Sequence, residues 1–232
     1  MSVAAAPTAM MRVARLYEST LGKKMVMAVT GVMLFGFVIA HLIGNLQFYL
    51  GPETLNAYGA ALHRLGPVLW LARLCLLTAV ALHIFSAVQL WRINRVARPI
   101  GYRKLSPVAS SYASRTMMLS GPILAAFIIY HLLHFTVGTV HPKFSHQVGG
   151  APEVYHNVVA GFQQIPVSIA YIVAMGFLGF HLMHGVWSMF QSVGWNHPKY
   201  TPLLRTAAVV MAALIVLGNI SIPISVMLGF HQ

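Results

Sequence analysis

Five long apolar segments dominate the pattern of hydrophobic and polar positions along this chain of 232 residues. Each has the roughly 20 apolar residues that a helix needs to cross the hydrocarbon core of a bilayer, and none contains Asp or Glu. The stretches between them are rich in Gly, Pro and polar residues, which is typical of loops. The pattern predicts five transmembrane helices, over residues 25–49, 67–91, 116–137, 165–191 and 203–229.

The first apolar segment is too long for a cleaved signal peptide, because a signal core has only about 7–15 apolar residues. We therefore expect it to be a retained helix. The predicted organisation is a cytoplasmic N-terminal segment, residues 1–24, followed by an all-α integral membrane domain of five helices, residues 25–229.

The basic residues lie mostly on one side of these predicted spans. Twelve of the fifteen Lys and Arg fall before the first span or in the loops after the second and fourth, and the other three are Arg64, Arg73 and Lys143. The positive-inside rule then places the N-terminus in the cytoplasm and the C-terminus outside, for a multi-pass protein of a bacterial cytoplasmic membrane. The net charge of +12 is explained by topology, and no nucleic acid partner is expected.

Composition excludes several classes of protein and of site. Hydrophobic residues make up 58% of the chain and charged residues 8%, which excludes both a soluble domain and disorder. The three acidic residues are glutamates distant from one another in sequence, and Cys75 is the single cysteine. Paired-carboxylate catalysis, disulfide frameworks, thiolate zinc sites and iron–sulfur clusters are therefore excluded. The twelve histidines remain as the candidate functional residues.

Half of the histidines lie inside predicted spans, where ionisable residues are rare and usually functional. They are His41, His83, His131, His134, His181 and His184. At 1.5 Å per helical residue, His41 and His131 lie about 24 Å above the cytoplasmic edge, and His83 and His181 about 13–15 Å above it. The depths thus predict an outer pair, His41 and His131, and an inner pair, His83 and His181, roughly 10 Å apart.

An internal repeat supports the same pairing. Residues 31–42 and 121–132 share the pattern G-x-x-L-x-x-F-x-I-x-H-L, with the histidine at the same place. Two helical hairpins in parallel repeat are related by an axis along the membrane normal. Such an axis brings His41 opposite His131 and His83 opposite His181.

Facing imidazoles at two depths suit two b-type haems, because haem iron takes one axial ligand from each side. Zinc or a di-metal site would need more ligands or carboxylates. No C-x-x-C-H motif occurs, so covalent attachment is not expected. His134 and His184 each follow a proposed ligand by three residues and are alternative ligands. Small residues expected to make room for the macrocycles are Gly36, Gly44, Ala87, Gly176, Gly179 and Gly185.

The sequence resembles the cytochrome b membrane subunit of succinate dehydrogenases and fumarate reductases, of the single-polypeptide, di-haem kind. The resemblance extends from about Gly22 to Phe230. The motifs that carry it are K-M-V-M-A-V-T-G (24–31), H-L-I-G-N-L (41–46), N-A-Y (56–58) leading to His63, His83, S-G (120–121) with His131, and F-H (180–181) with G-V-W-S (185–188).

The resemblance implies five spans enclosing two haems, with His41 and His131 holding the haem distal to the soluble subunits and His83 and His181 the proximal one. It implies a flavoprotein and an iron–sulfur subunit on the cytoplasmic face, and it is compatible with a higher oligomer of the complex. The chain would pass electrons between the iron–sulfur subunit and a membrane quinone, for which we expect menaquinone. The implied enzyme is a succinate dehydrogenase or fumarate reductase, and this subunit would perform no carbon chemistry itself.

Five polar residues are candidates for haem-propionate, ligand-supporting or quinone contacts: His134, His184, Asn45, Arg73 and His63. For Arg73 an equally good interpretation is a side chain that extends toward the membrane interface. Some quinol-oxidising relatives use glutamates in or beside the helices to handle protons, whereas no predicted span here contains an acid.

Two other functions fit the pattern. The first is a cytochrome b of another membrane oxidoreductase, such as a hydrogenase, a formate dehydrogenase or a ferric reductase, which would share the four histidines. The second is a haem-free anchor or transporter whose histidines bind protons or metals.

Overall fold

The computed structural model describes residues 17–97, 112–145, 153–195 and 197–230. Eight α-helices occur in these ranges: α1 (Thr20–Asn45), α2 (Pro52–Arg64), α3 (Pro67–Val96), α4 (Tyr112–Arg115), α5 (Met117–His131), α6 (Val154–Phe162), α7 (Ile165–Ser192) and α8 (Thr201–Met227). The 3-10 turn Leu46–Leu50 continues α1, and the π-helical turn Leu132–Val137 continues α5.

Five elements are long and apolar enough to cross a membrane: Thr20–Leu50, Pro67–Val96, Met117–Val137, Ile165–Ser192 and Thr201–Met227. This confirms the predicted all-α membrane fold with five spans. Of the basic residues that set the predicted orientation, several lie outside the described residues: Arg12, Arg15, Arg98, Arg103 and Lys104.

Local sequence explains where the spans begin and end. Ser19 caps α1, since its Oγ accepts a hydrogen bond from the Gly22 N–H at 2.9 Å. Pro67 opens α3 directly after Gly66, whose φ of 52° is accessible to glycine at little cost. The π turn ends at Gly138, which has the left-handed conformation, φ 83° and ψ 0°.

The first four spans form two hairpins, α1 with α3 and α5 with α7, and α8 is the fifth span. Helix α1 packs on α3, α5 packs on α7, and α1 also packs on α7 and α8. A buried apolar cluster of Leu42, Leu182, Ala212 and Ile215 fixes the contact among α1, α7 and α8. The predicted repeat units therefore occur as two hairpins, α1–α3 and α5–α7.

The end of the bundle that carries α2 and α6 is closed by these two short helices. The Tyr155 N–H donates to Asn56 Oδ1 at 2.9 Å, and the rings of Phe48 and Tyr155 stack at 5.1 Å. The sequence pattern had indicated loops here, because Pro52 lies beside glycine and glutamate. Proline is favoured in the first turn of a helix, however, and Pro52 opens α2 in that role.

Apolar side chains cover much of the outward surface of the bundle, as contact with lipid requires. At the opposite end from α2 and α6, the guanidinium of Arg95 lies over the Trp91 ring at 5.3 Å and that of Arg205 over Trp187 at 4.8 Å. Amphipathic aromatics beside basic residues are typical of the membrane–water interface.

Candidate functional site

Four histidines meet in two pairs, and each pair joins the two hairpins. The rings of His41 on α1 and His131 on α5 have centroids 5.7 Å apart, with planes at 88°. The rings of His83 on α3 and His181 on α7 have centroids 6.3 Å apart, with planes at 54°. The structure thus brings together the residues that depth and repeat had paired, and the histidines lie at the same place in each hairpin.

The inner pair has a hydroxyl on each imidazole. Thr30 Oγ1 lies 3.1 Å from His83 Nδ1, and Ser120 Oγ lies 3.5 Å from His181 Nδ1. Both hydroxyl residues are buried, Thr30 on α1 and Ser120 on α5. Because Nδ1 faces a hydroxyl in each ring, Nε2 is the nitrogen left for another ligand.

These contacts also show at which level along the helices each histidine pair lies. Thr30 marks the level of the inner pair on α1, and His41 follows eleven residues later, about 16 Å along the axis. Ser120 and His131 have the same separation on α5. The separation between the two levels is larger than the roughly 10 Å predicted, because α1 begins at Thr20, five residues before the edge assumed for the first span.

The outer pair has aromatic surroundings and one hydroxyl. The His41 ring stacks on Phe37 at 5.3 Å, and the His131 ring lies 5.8 Å from that of Phe127. The hydroxyl of Tyr171 on α7 lies 3.3 Å from His131 Nδ1. The same hydroxyl lies 3.0 Å from His134 Nδ1, so it links the two histidines.

A π-helical turn follows His131 directly and contains His134. The Nδ1 atoms of both histidines reach the Tyr171 hydroxyl on α7.

His134 is an interior residue of the bundle. Its side chain has 0% exposure, and its ring stacks on Tyr130 at 5.5 Å and on His141 at 4.7 Å. Its Nε2 has no hydrogen-bond partner among the described residues. His141 is held in turn, since its Nε2–H donates to the Asn157 carbonyl at 2.9 Å and its Nδ1 accepts from the Lys143 N–H at 3.1 Å.

The other four candidates for haem-propionate, ligand-supporting or quinone contacts lie apart from His134 and its neighbours. His184 and Asn45 are half-buried, on α7 and at the end of α1. The guanidinium of Arg73 lies over the Trp70 ring at 5.0 Å, and the exposed His63 donates from Nδ1 to the Gly59 carbonyl within α2 at 2.8 Å. The stacking of Arg73 on a tryptophan that is 61% exposed favours its interpretation as an interface residue.

The spacing within each imidazole pair fits one metal ion held between two histidine nitrogens. An ion held by two imidazole nitrogens at about 2 Å from each places the ring centroids about 6 Å apart, close to both observed spacings. Within the described residues, no three His, Cys, Asp or Glu side chains converge as a metal site.

The five glycines expected to make room divide into two groups. A Cβ added at Gly36, Gly176 or Gly185 would meet no atom within 4 Å. A Cβ at Gly44 would lie 2.7 Å from the Tyr58 ring, and one at Gly179 would lie 2.9 Å from Val216. Gly44 and Gly179 therefore permit close packing of the neighbouring Tyr58 and Val216 side chains.

Sequence reasoning missed the three hydroxyls that contact the paired histidines. Thr30 and Ser120 immediately precede Gly31 and Gly121, which open the repeat, so the repeat carried a signal for both. Tyr171 had no such signal, since it lies 40 residues from His131 and 37 from His134. Its role depends on how α7 packs on α5.

Comparison with known families gives one match. The family described as the succinate dehydrogenase/fumarate reductase transmembrane subunit matches residues 94–220, more than half of the chain. The match covers α5, α7 and most of α8, and so includes His131 and His181. Comparisons with curated proteins and with solved structures gave no match. The chain belongs to the succinate dehydrogenase/fumarate reductase transmembrane subunit family, and is a multi-pass membrane subunit of an oxidoreductase complex.

Proposed function

We propose that this chain is the di-haem electron-transfer subunit of a succinate:quinone oxidoreductase. It would hold two b-type haems, one between His41 and His131 and one between His83 and His181. When bound, haem iron supplies one-electron transfer between its ferric and ferrous states. The observation that carries the proposal is the meeting of four imidazoles as two pairs between repeated hairpins.

The protein groups around each pair have distinct tasks in this proposal. Hydroxyls on Nδ1 of His83, His181 and His131 hold the rings in position and leave each Nε2 free to bind iron. Ring stacking on Phe37 orients His41. The aromatic rings beside His41 and His131 make the outer site apolar, a property that affects the potential of a bound haem.

The partners follow from the family and from the charge distribution. A flavoprotein and an iron–sulfur subunit would dock at the end of the bundle opposite α2 and α6, where basic residues concentrate. Those in the described ranges are Lys23, Lys24, Arg92, Arg95, Arg115, Lys199 and Arg205. Membrane quinone, with menaquinone as our expectation, would exchange electrons with this subunit. His134, His184, Asn45, Arg73 and His63 remain our candidates for propionate or quinone contacts.

Purification of the complex from native membranes tests the function. We expect a flavoprotein and an iron–sulfur protein to copurify with this chain, and succinate to reduce a b-type absorption band in the complex. A chain that copurifies with a hydrogenase or a formate dehydrogenase would indicate the related cytochrome b function, and a chain without any b-type band would indicate a haem-free anchor.

Replacing Tyr171 with phenylalanine should affect the outer pair selectively. Removal of the hydroxyl leaves Nδ1 of both His131 and His134 without this partner, which for buried groups costs about 1–2 kcal/mol. We expect a lower thermal unfolding midpoint and a changed midpoint potential for one haem. Tyr130→Phe is the matched control, because Tyr130 stacks on His134 through its ring. Equal effects of the two substitutions would contradict a role for the Tyr171 hydroxyl.

Reporter fusions test the orientation. A fusion after Ala97, which follows two spans, should place its reporter in the cytoplasm, and a fusion at the C-terminus should place it outside. We expect alkaline phosphatase to be active only at the C-terminus and a fluorescent reporter that requires the cytoplasm to be bright only after Ala97. The reverse result would place the basic end outside and the proposed docking face on the wrong side.

A further inference from the structure

The two hairpins repeat one hydroxyl–imidazole contact. Thr30 on α1 contacts His83 on α3, and Ser120 on α5 contacts His181 on α7. Each hydroxyl residue stands one position before the glycine that opens the repeat, Gly31 or Gly121. The contact therefore occurs at the same place in both halves of the bundle, although one residue is threonine and the other serine.

Local backbone geometry indicates the direction of the hydrogen bond between Thr30 and His83. Thr30 Oγ1 lies 2.7 Å from the Val26 carbonyl oxygen and 3.2 Å from that of Met27, while Ser120 Oγ lies 3.5 Å from the Met117 carbonyl oxygen. A hydroxyl has one hydrogen, and a carbonyl can only accept. With its hydrogen directed to the Val26 carbonyl, the Thr30 hydroxyl accepts from Nδ1–H of His83. Ser120 Oγ is equally distant from the Met117 carbonyl and from His181 Nδ1, and we assign it the same direction because it stands at the same place in the repeat.

Burial protects these two hydrogen bonds from competition by water. Thr30 is 5% exposed and Ser120 is 0% exposed, so water cannot replace either hydroxyl as the partner of Nδ1. A ring protonated on Nδ1 has its lone pair on Nε2, the form that can bind a metal through that atom. A hydrogen bond donated by Nδ1–H also makes the ligand more basic, which favours the more highly charged metal.

We propose that Thr30 and Ser120 are positioning residues that set the reduction potential of the inner haem by accepting hydrogen bonds from His83 and His181. This inference rests on the proposed function. It makes the inner site symmetric, with a hydroxyl on each ligand. The outer site differs, because His131 meets the hydroxyl of Tyr171 while the His41 ring stacks on Phe37. Two haems with the same ligand type would thus receive different potentials from the protein.

Redox titration of the purified, haem-loaded protein tests the proposal, using Thr30→Val, Ser120→Ala and the double variant. The haem component to be followed in the titration is the one that the His83→Ala substitution removes. We expect its midpoint potential to rise in each single variant, more for Thr30→Val because that contact is shorter, and to rise further in the double variant. The outer component should stay unchanged, and Thr30→Ser should restore the wild-type potential.

Thr78→Val is the matched control. Thr78 lies on α3 beside Thr30 in the groove between α1 and α3, and among the described contacts its hydroxyl reaches neither His83 nor His181. Loss of the inner haem in Thr30→Val, with retention in Thr30→Ser and Thr78→Val, would also support the proposal.

An unchanged inner potential in Thr30→Val and Ser120→Ala at full haem content would overturn this inference and leave the haem assignment standing. A shift confined to the outer component would overturn it as well. Wild-type protein that binds no haem would instead refute the proposed function, so the two failures are distinguishable.

Discussion

Replacing either His83 or His181 with alanine should remove one and the same haem from the protein. The two ring centroids lie 6.3 Å apart on opposite hairpins, so each histidine would supply one of the two protein ligands of the inner haem in our proposal. Replacing either His41 or His131 should remove the other haem, because those rings meet at 5.7 Å. The measurement is the haem content of each purified variant, together with its reduced optical spectrum.

A matched control for these variants is His184→Ala. His184 is half-buried on the same helix as His181 and follows it by three residues. We expect this variant to keep both haems. If His184→Ala removed a haem while His181→Ala kept both, His184 would be the ligand. If His83→Ala and His131→Ala removed the same spectral component, the pairing itself would be wrong.

Replacing Gly161 with alanine should destabilise the cluster behind the outer pair. The added Cβ would lie 2.9 Å from His134 Cε1, 3.0 Å from His141 Nε2 and 3.2 Å from Phe135 Cε1. His134 and His141 are buried and held by hydrogen bonds, so they have little freedom to move aside. Overpacking of this kind costs about 2–3 kcal/mol.

The test of this prediction is thermal unfolding of the detergent-solubilised protein, followed by helical circular dichroism and by loss of haem absorbance. We expect a lower midpoint in both signals, with the outer haem lost first. Gly121→Ala is the control, because a Cβ there would meet no atom within 4 Å. Equal midpoints for the two variants would mean that Gly161 is not tightly packed between α6 and the histidines.

The five spans could be predicted from sequence because crossing a bilayer requires a long apolar run, and that requirement is visible without any tertiary information. The short helices α2 and α6 could not. They are short, 13 and 9 residues, and lie beside prolines and glycines that occur equally in loops. Tertiary packing, including that of Phe48 on Tyr155, supports them at the end of the bundle.

The histidine pairs could be predicted because the repeat relates His41 to His131 and the depths relate His83 to His181. Their hydrogen-bond partners depend on tertiary packing. Thr30 is 53 residues from His83 and Ser120 is 61 residues from His181. Hydroxyl side chains occur at many positions in these spans, and only the approach of α3 to α1 and of α7 to α5 selects these two.

The central claim is that two pairs of histidines hold two haems. The most direct test is the pyridine haemochrome assay on the purified full-length chain, with haem b quantified against protein. The expected result is two haems b per chain, with an alpha band after reduction by dithionite. A preparation that carries one haem per chain would contradict the assignment of the second pair, and a preparation without haem would contradict the claim entirely.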